Sequence, residues 1–108
     1  MRKSVQFLLL FLMCISASWT WASDVPERTV LFNMGDYDSQ YWRIPALVTA
    51  ADNSLVAVVD KRGSSLGDLP NTISIMSRRS TDNGKNWSEP VVVAQGGNGK
   101  TYGDPAVV

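Results

Sequence analysis

The sequence predicts an all-β fold, and within that class a propeller blade followed by the start of another. Three observations carry this. Beyond about residue 40 the chain reads as short apolar, β-branched runs separated by turns rich in Gly, Asn, Asp and Ser. No stretch of that region sustains a helical period. The pattern then restarts: RIPALV at 43–48 aligns with GDPAVV at 103–108, at an offset of 60 residues with the intervening strands between. A four-stranded unit that recurs is the mark of a β-propeller blade, which cannot bury both faces alone. The rival is a small two-sheet sandwich complete in itself, which would have to end on an unpaired apolar edge. Because the chain of 108 residues stops inside an apolar run, we expect an N-terminal piece of a longer protein.

The first segment is not expected to join the fold. Arg2 and Lys3 precede an apolar run from about Val5 to Ile15, and small residues follow. That is the layout of a secretory signal peptide, 1–22, cleaved after Ala22. The apolar run is short for a membrane span, so export with cleavage is expected ahead of an anchor. Cys14 would suit a lipoprotein signal, but Phe11-Leu12-Met13 lacks the small residues such a signal uses. The location expected is periplasmic, secreted or cell-surface, with no membrane span left after cleavage. The remaining chain, 23–108, carries the propeller portion.

The strands follow in order. IPALVTA at 44–50 is the first, and Asp52-Asn53 turns the chain. SLVAVVD at 54–60 is apolar enough to be buried on both faces. KRGSSLGDLPN at 61–71 is a loop by its Gly, Ser and Pro content. TISIMSRR at 72–79 is the third strand, STDNGKNW a polar turn, and EPVVVAQ at 89–95 the fourth. GGNGK is a flexible connection.

Composition narrows the function. Arg2 and Lys3 are two of the 10 basic residues, while all 10 acidic residues lie beyond Ser23, so the exported part is weakly acidic. Nothing there suggests nucleic acid or an anionic membrane surface as partner. Arg78-Arg79 reads as a solvated strand end. The chain has no His, which excludes from it a Ser-His-Asp or Cys-His site and any His-ligated metal. Cys14 is the single Cys, so no disulfide is available to 23–108.

Two motifs carry the chemistry. Ser80-x-Asp82-x-Gly84-x-x-Trp87 has the residues of a locked hairpin turn. Ser80 and Asp82 can accept backbone N–H bonds, Gly84 can take positive φ, and Trp87 can fold its ring back on the hairpin. Its reading is structural. The second is Arg43, a guanidinium at the mouth of an apolar strand. Such a charge is costly unless paired or facing a cavity. The plainer explanation is an ion pair with Asp36 or Asp38.

YWRIPAL followed by STDNGKNW resembles the start of a sialidase (neuraminidase), over roughly residues 28–108. That family has an Arg-Ile-Pro motif near its N-terminus and repeated Asp-boxes on a six-bladed β-propeller. The resemblance implies that Ser80, Asp82, Gly84 and Trp87 form an Asp-box, and that Arg43 is one of three arginines clamping the sialic acid carboxylate. A planar guanidinium suits that bidentate task. It implies that Arg62 and Asp104 contact the sugar near its 4-position. It also implies that Asp68 is the general acid/base, protonating the leaving glycosidic oxygen and then activating water. A loop that shields Asp68 would raise its pKa. Taken alone, Asp68 reads as a turn residue, Arg62 as a strand-end charge, and Asp104 as a turn residue before Pro105 that begins the next innermost strand. Tyr41 and Trp42 are candidates for the rim of the site.

The resemblance further implies a tyrosine nucleophile, its glutamate partner and two more clamp arginines beyond Val108. Tyr102 is not that nucleophile. The whole would be an exo-α-sialidase acting with retention on sialylated glycans, the fragment alone being inactive, with no cofactor and no metal required. Two alternatives stand: a non-catalytic carbohydrate-binding or adhesion propeller that keeps Asp-boxes, and a trans-sialidase or intramolecular transferase on the same scaffold.

Overall fold

The computed structural model describes residues 26–108. The signal peptide expected over 1–22, Cys14 included, lies outside the described residues. Four strands, β1 (Tyr41–Thr49), β2 (Leu55–Arg62), β3 (Ile73–Ser80) and β4 (Val91–Ala94), form one antiparallel sheet in the order β1-β2-β3-β4. Each expected strand forms, with shifted ends. β1 begins at Tyr41 because Tyr41, Trp42 and Arg43 pair with Arg62, Lys61 and Asp60, and the same pairs lengthen β2. β4 is shorter than expected and starts after Pro90, which has no N–H for the ladder.

Burial concentrates in the middle of the sheet. Ala57, Val58 and Val59 of β2 and Ile73 and Met76 of β3 make the core. The edge strands are open: Leu47 of β1 is 63% exposed, and Val91 and Val93 of β4 are 60% and 59% exposed. A sheet with wet apolar edges and a dry centre is what a blade shows when its neighbours lie elsewhere.

Two devices shape the ends of the sheet. The first is a bulge in β1. Arg43 opposes Asp60, but Ala46 opposes Val58, so Ile44-Pro45 puts one extra residue into β1. Ile44 carries it at φ 54, a left-handed value that a β-branched residue strongly resists. Asp104, its counterpart in the internal repeat, has the same φ of 54 and also precedes a proline. Residues before proline favour extended backbone, so two matching exceptions 60 positions apart show that the repeat is structural. The repeat does not extend to pairing. Asp104 was expected to begin a strand, but 101–108 has no strand assignment. No ladder partner is available to it among the described residues, and its N–H goes to the Asp60 carboxylate at 3.1 Å.

The second device is the turn after β3. Ser80 is buried, and its Oγ accepts from Gly84 N–H at 2.8 Å while donating to Asp82 Oδ1 at 2.8 Å. Asp82 also accepts the Asn86 backbone N–H at 2.8 Å and its side-chain amide at 2.7 Å. Gly84 sits at φ 87, and Trp87 donates its indole N–H to the Gly84 carbonyl at 3.1 Å. The turn therefore closes with the four expected residues. Arg78 and Arg79, expected as a solvated strand end, are both bonded, with Arg79 remaining exposed. Arg78 donates to the carbonyls of Leu31 and Ser88, each at 2.7 Å, and Arg79 donates to Ser54 Oγ at 2.8 Å and pairs with Asp52.

Ser80→Ala is expected to destabilise the full-length protein by about 1–2 kcal/mol, since it strips a buried acceptor from Gly84 and a donor from Asp82; chemical denaturation checks this. Asp82 is held down to about 2 from its ordinary 3.8, first by the Asn86 backbone N–H and then by the Asn86 and Ser80 side chains. A depressed carboxylate stabilises the fold above its unfolded value and loses that contribution as pH falls through its folded value. The turn's contribution is thus whole above about pH 4 and fades toward pH 2. Asp82→Asn is expected to flatten the thermal midpoint across that window relative to wild type.

Candidate active site

Antiparallel partners directly opposite one another point to the same face, as do residues two apart on one strand. Arg43 opposes Asp60, and Arg62 lies two residues beyond Asp60. All three therefore share one face at the same end of the sheet. The bulge at Ile44 separates this end from the apolar pairing of the rest of β1.

Arg62 is the centre of the cluster. Its side chain is 1% exposed, and Asp60 beside it is 0% exposed. Arg62 Nη2 donates to Asp60 Oδ2 at 2.9 Å. Arg62 Nη1 faces three acceptors from the loop after β2: the Leu66 carbonyl at 3.1 Å, the Gly67 carbonyl at 2.7 Å and Asp68 Oδ1 at 2.6 Å. Its Nε is buried without a partner. Arg43 reaches the same loop, donating from Nη1 to the Leu66 carbonyl at 2.8 Å, with Asp68 Oδ1 at 3.9 Å. Asp68, rather than Asp36 or Asp38, is thus the acidic neighbour of Arg43. Asp36 instead caps Asn33 N–H at 3.0 Å.

The loop that brings Asp68 there is tied from inside by Asn71. Its amide donates to the carbonyls of Ser65 and Gly67 at 3.1 and 2.9 Å, and its own carbonyl accepts from Thr101 Oγ1 at 2.6 Å. Ser39 braces the other side, with its hydroxyl donating to the Arg62 carbonyl at 2.8 Å. The segment after β4 folds back over β2 and β3, Tyr102 N–H bonding the Ile73 carbonyl at 3.0 Å. This carries Asp104 to the cluster. Arg62, Asp68 and Asp104 line one cleft of about 270 Å³, with Leu69, Ile73, Thr101 and Gly103.

The structure thus brings Arg43, Arg62, Asp68 and Asp104 to one end of the sheet. One expectation is corrected. Asp68 is not shielded with a raised pKa. Its side chain is 80% exposed, and the Arg62 hydrogen bond holds its carboxyl below the usual range, with the charges of Arg62 and Arg43 adding. A carboxyl must leave these cations before it can carry a proton near neutral pH. Trp42 packs on Phe32 with ring centroids 4.9 Å apart, meets Tyr37 edge-on at 6.4 Å, and donates to the Asn33 carbonyl at 2.9 Å. It fastens the N-terminal segment to β1. The sequence reading missed Asp60 and Asn71. An acidic residue closing an apolar strand, two before an arginine, was a usable signal for the first. Asn71 gave none, because a loop asparagine next to proline reads as ordinary turn chemistry.

Among the described residues no cluster of His, Cys, Asp and Glu is arranged to hold a metal ion. No family model matches the chain. A sialidase of Paraclostridium sordellii is 33% identical over 105 residues, which is 86% of this chain and 26% of that protein. A sialidase of Micromonospora viridifaciens is 46% identical over 55 residues, 51% of this chain and 8% of its own. An anhydrosialidase of Macrobdella decora is 36% identical over 63 residues, 57% of this chain and 8% of its own. In three dimensions the chain resembles the crystal structure of the NanB sialidase of Streptococcus pneumoniae with a TM-score of 0.58 at 34% identity, covering 62% of this chain and 10% of that one. The chain belongs to the sialidase family, and its sheet is a blade of that family's propeller. It spans about a quarter or less of the length of the relatives it matches.

Arg62→Ala is expected to leave Asp60 as an uncompensated buried charge, at a cost of about 3 kcal/mol or more. Asp68→Asn, at an exposed position, is expected to be near neutral in stability. Denaturation of the full-length variants side by side separates the two.

Proposed function

We propose that residues 23–108 form the N-terminal portion of an exported exo-α-sialidase that hydrolyses terminal α-linked sialic acids from glycoconjugates with retention. The observation that carries this reading is the meeting of two arginines and one exposed carboxylate at a single end of the blade. Family membership supplies the substrate class. In this reading the Ser80–Trp87 turn is an Asp-box, and the segment 1–22 directs export.

The residues divide the work by chemistry. Arg43 is 42% exposed and spends one donor on the Leu66 carbonyl, so most of its guanidinium fork faces outward for a substrate carboxylate. In this reading Asp104 is the cleft residue offered to the sugar's 4-position, while Arg62, buried with both Nη groups engaged, acts through the loop and Asp60 rather than by direct contact. Asp68 is the general acid/base. Substrate carboxylate binding weakens the cationic hold on Asp68, which frees its carboxyl to take up a proton and deliver it to the leaving oxygen. The nucleophile is a tyrosine, of the kind that sets sialidases apart from other retaining glycosidases.

A second reading, intramolecular transfer within the sugar, is favoured by the similarity to the anhydrosialidase of Macrobdella decora. Product analysis separates them: free sialic acid supports hydrolysis, an anhydro sugar supports transfer, and neither from any sialoside would leave a binding propeller. In an active full-length protein, Asp68→Asn is expected to lower turnover of natural sialosides by about 10²–10⁴-fold. Near-normal turnover would take Asp68 out of the mechanism. Arg43→Ala is expected to impair kcat/KM by raising KM and lowering kcat together, and unchanged values of both would remove the clamp.

A further inference from the structure

We infer that Asp60 is a positioning residue of this site: it is the permanent counter-ion of Arg62, and thereby leaves Asp68 free to change partners. This rests on the sialidase reading, in which Asp68 handles the proton of the leaving oxygen.

Two carboxylates share one buried guanidinium, and they are not equivalent. Asp60 comes from a strand interior and is 0% exposed, whereas Asp68 comes from a loop and is 80% exposed. A buried arginine stripped of its anion is strongly unfavourable. The donor arrangement shows which anion is dispensable. Arg62 Nη1 has two hydrogens for three acceptors, and two of these are the carbonyls of Leu66 and Gly67. When Asp68 departs, those carbonyls keep Nη1 bonded and Asp60 keeps the charge balanced. No further donor of Arg62 is stranded beyond Nε. With a neutral residue at 60, Asp68 would be the sole close anion of a buried cation, and its release would leave that cation unpaired.

Asp60 also holds the far wall of the cleft. Its Oδ1 accepts the Asp104 N–H at 3.1 Å, and Gly103 lies so close that an added Cβ would stand 3.2 Å from Oδ2. One carboxylate thus orients Arg62 with one oxygen and seats Asp104 with the other. The charged groups facing it are Arg62 on its own strand, Arg43 opposite on β1, Asp68 on the loop and Asp104 on the segment after β4.

The test is Asp60→Asn in the full-length protein. Asparagine keeps the shape and the acceptor for Asp104 but removes the charge. Asp68 is then held more tightly by Arg62, and each unit by which its pKa falls costs about tenfold in the protonated acid. The expected result is a loss of about tenfold or more in kcat/KM on a natural sialyl-glycan, whose leaving alkoxide needs a proton. An aryl sialoside with an acidic phenol as leaving group is expected to lose far less. The limb of the pH profile on which activity falls with rising pH is expected to move to lower pH. Equal losses on both substrates with an unmoved limb would make Asp60 a plain structural residue and overturn the inference, as would no loss on either. Should Asp60→Asn not fold, Gly103→Ala decides instead. It pushes on the same Asp60 oxygen, and a smaller loss with the same leaving-group dependence supports the inference while its absence overturns it. A wild-type protein that releases no sialic acid from either substrate removes the sialidase reading itself, and this inference with it.

Discussion

The cluster depends on a guanidinium that has been taken out of water. Arg62 is buried at the end of a central strand, and everything around it is arranged to make that affordable. The adjacent strand position supplies Asp60. The loop after β2 turns two carbonyls and a carboxylate inward. The segment after β4 folds back to cover the pair, anchored through the Ile73 carbonyl and Asp60 itself. Loop, strand end and returning segment therefore meet at one cation, and the cleft is the space left between them.

That arrangement separates permanence from motion. Contacts drawn from the sheet are buried and geometrically fixed, as in the Arg62–Asp60 pair. Contacts drawn from the loop are exposed and replaceable, as in Asp68. Asn71 ties the loop through the Ser65 and Gly67 carbonyls but leaves the Asp68 carboxylate bonded only to arginines. A catalytic acid has to be held in reach without being held fast, and this division meets both needs.

Much of this was legible along the chain, and what was not has a common cause. The four strands announced themselves by β-branched runs between turn residues, and the Ser80–Trp87 turn by short-range chemistry that any local reading can follow. Arg43, Arg62, Asp68 and Asp104 were singled out by the resemblance to a sialidase rather than by their own pattern, and the structure brings them together. Asp60 was passed over because its burial depends on Gly103 and Asp104 returning from 44 residues away. The fate of Asp68 was misjudged for the same reason, since two arginines from different strands set its charge state. The positive φ at Ile44 ran against the expectation for a residue before proline. Only the mismatch in pairing between β1 and β2 shows why the chain adopts it.

The bulge in β1 has a consequence for how this protein can vary. A strand shows its residues alternately to two faces, so a change of one residue in length inverts every position on one side of it. The extra residue at Ile44-Pro45 already uses one such step, and it sets the phase that puts Arg43 on the face of Asp60 and Arg62. Deleting or adding a residue between Arg43 and Ala46 would turn the arginine toward the opposite side of the blade. The Ser64–Thr72 loop, closed at its base by Gly63 N–H on the Thr72 carbonyl, carries no such phase. Homologous blades should thus keep the spacing of Arg-Ile-Pro-Ala unchanged, and vary that loop only where Leu66, Gly67 and Asp68 still reach Arg62.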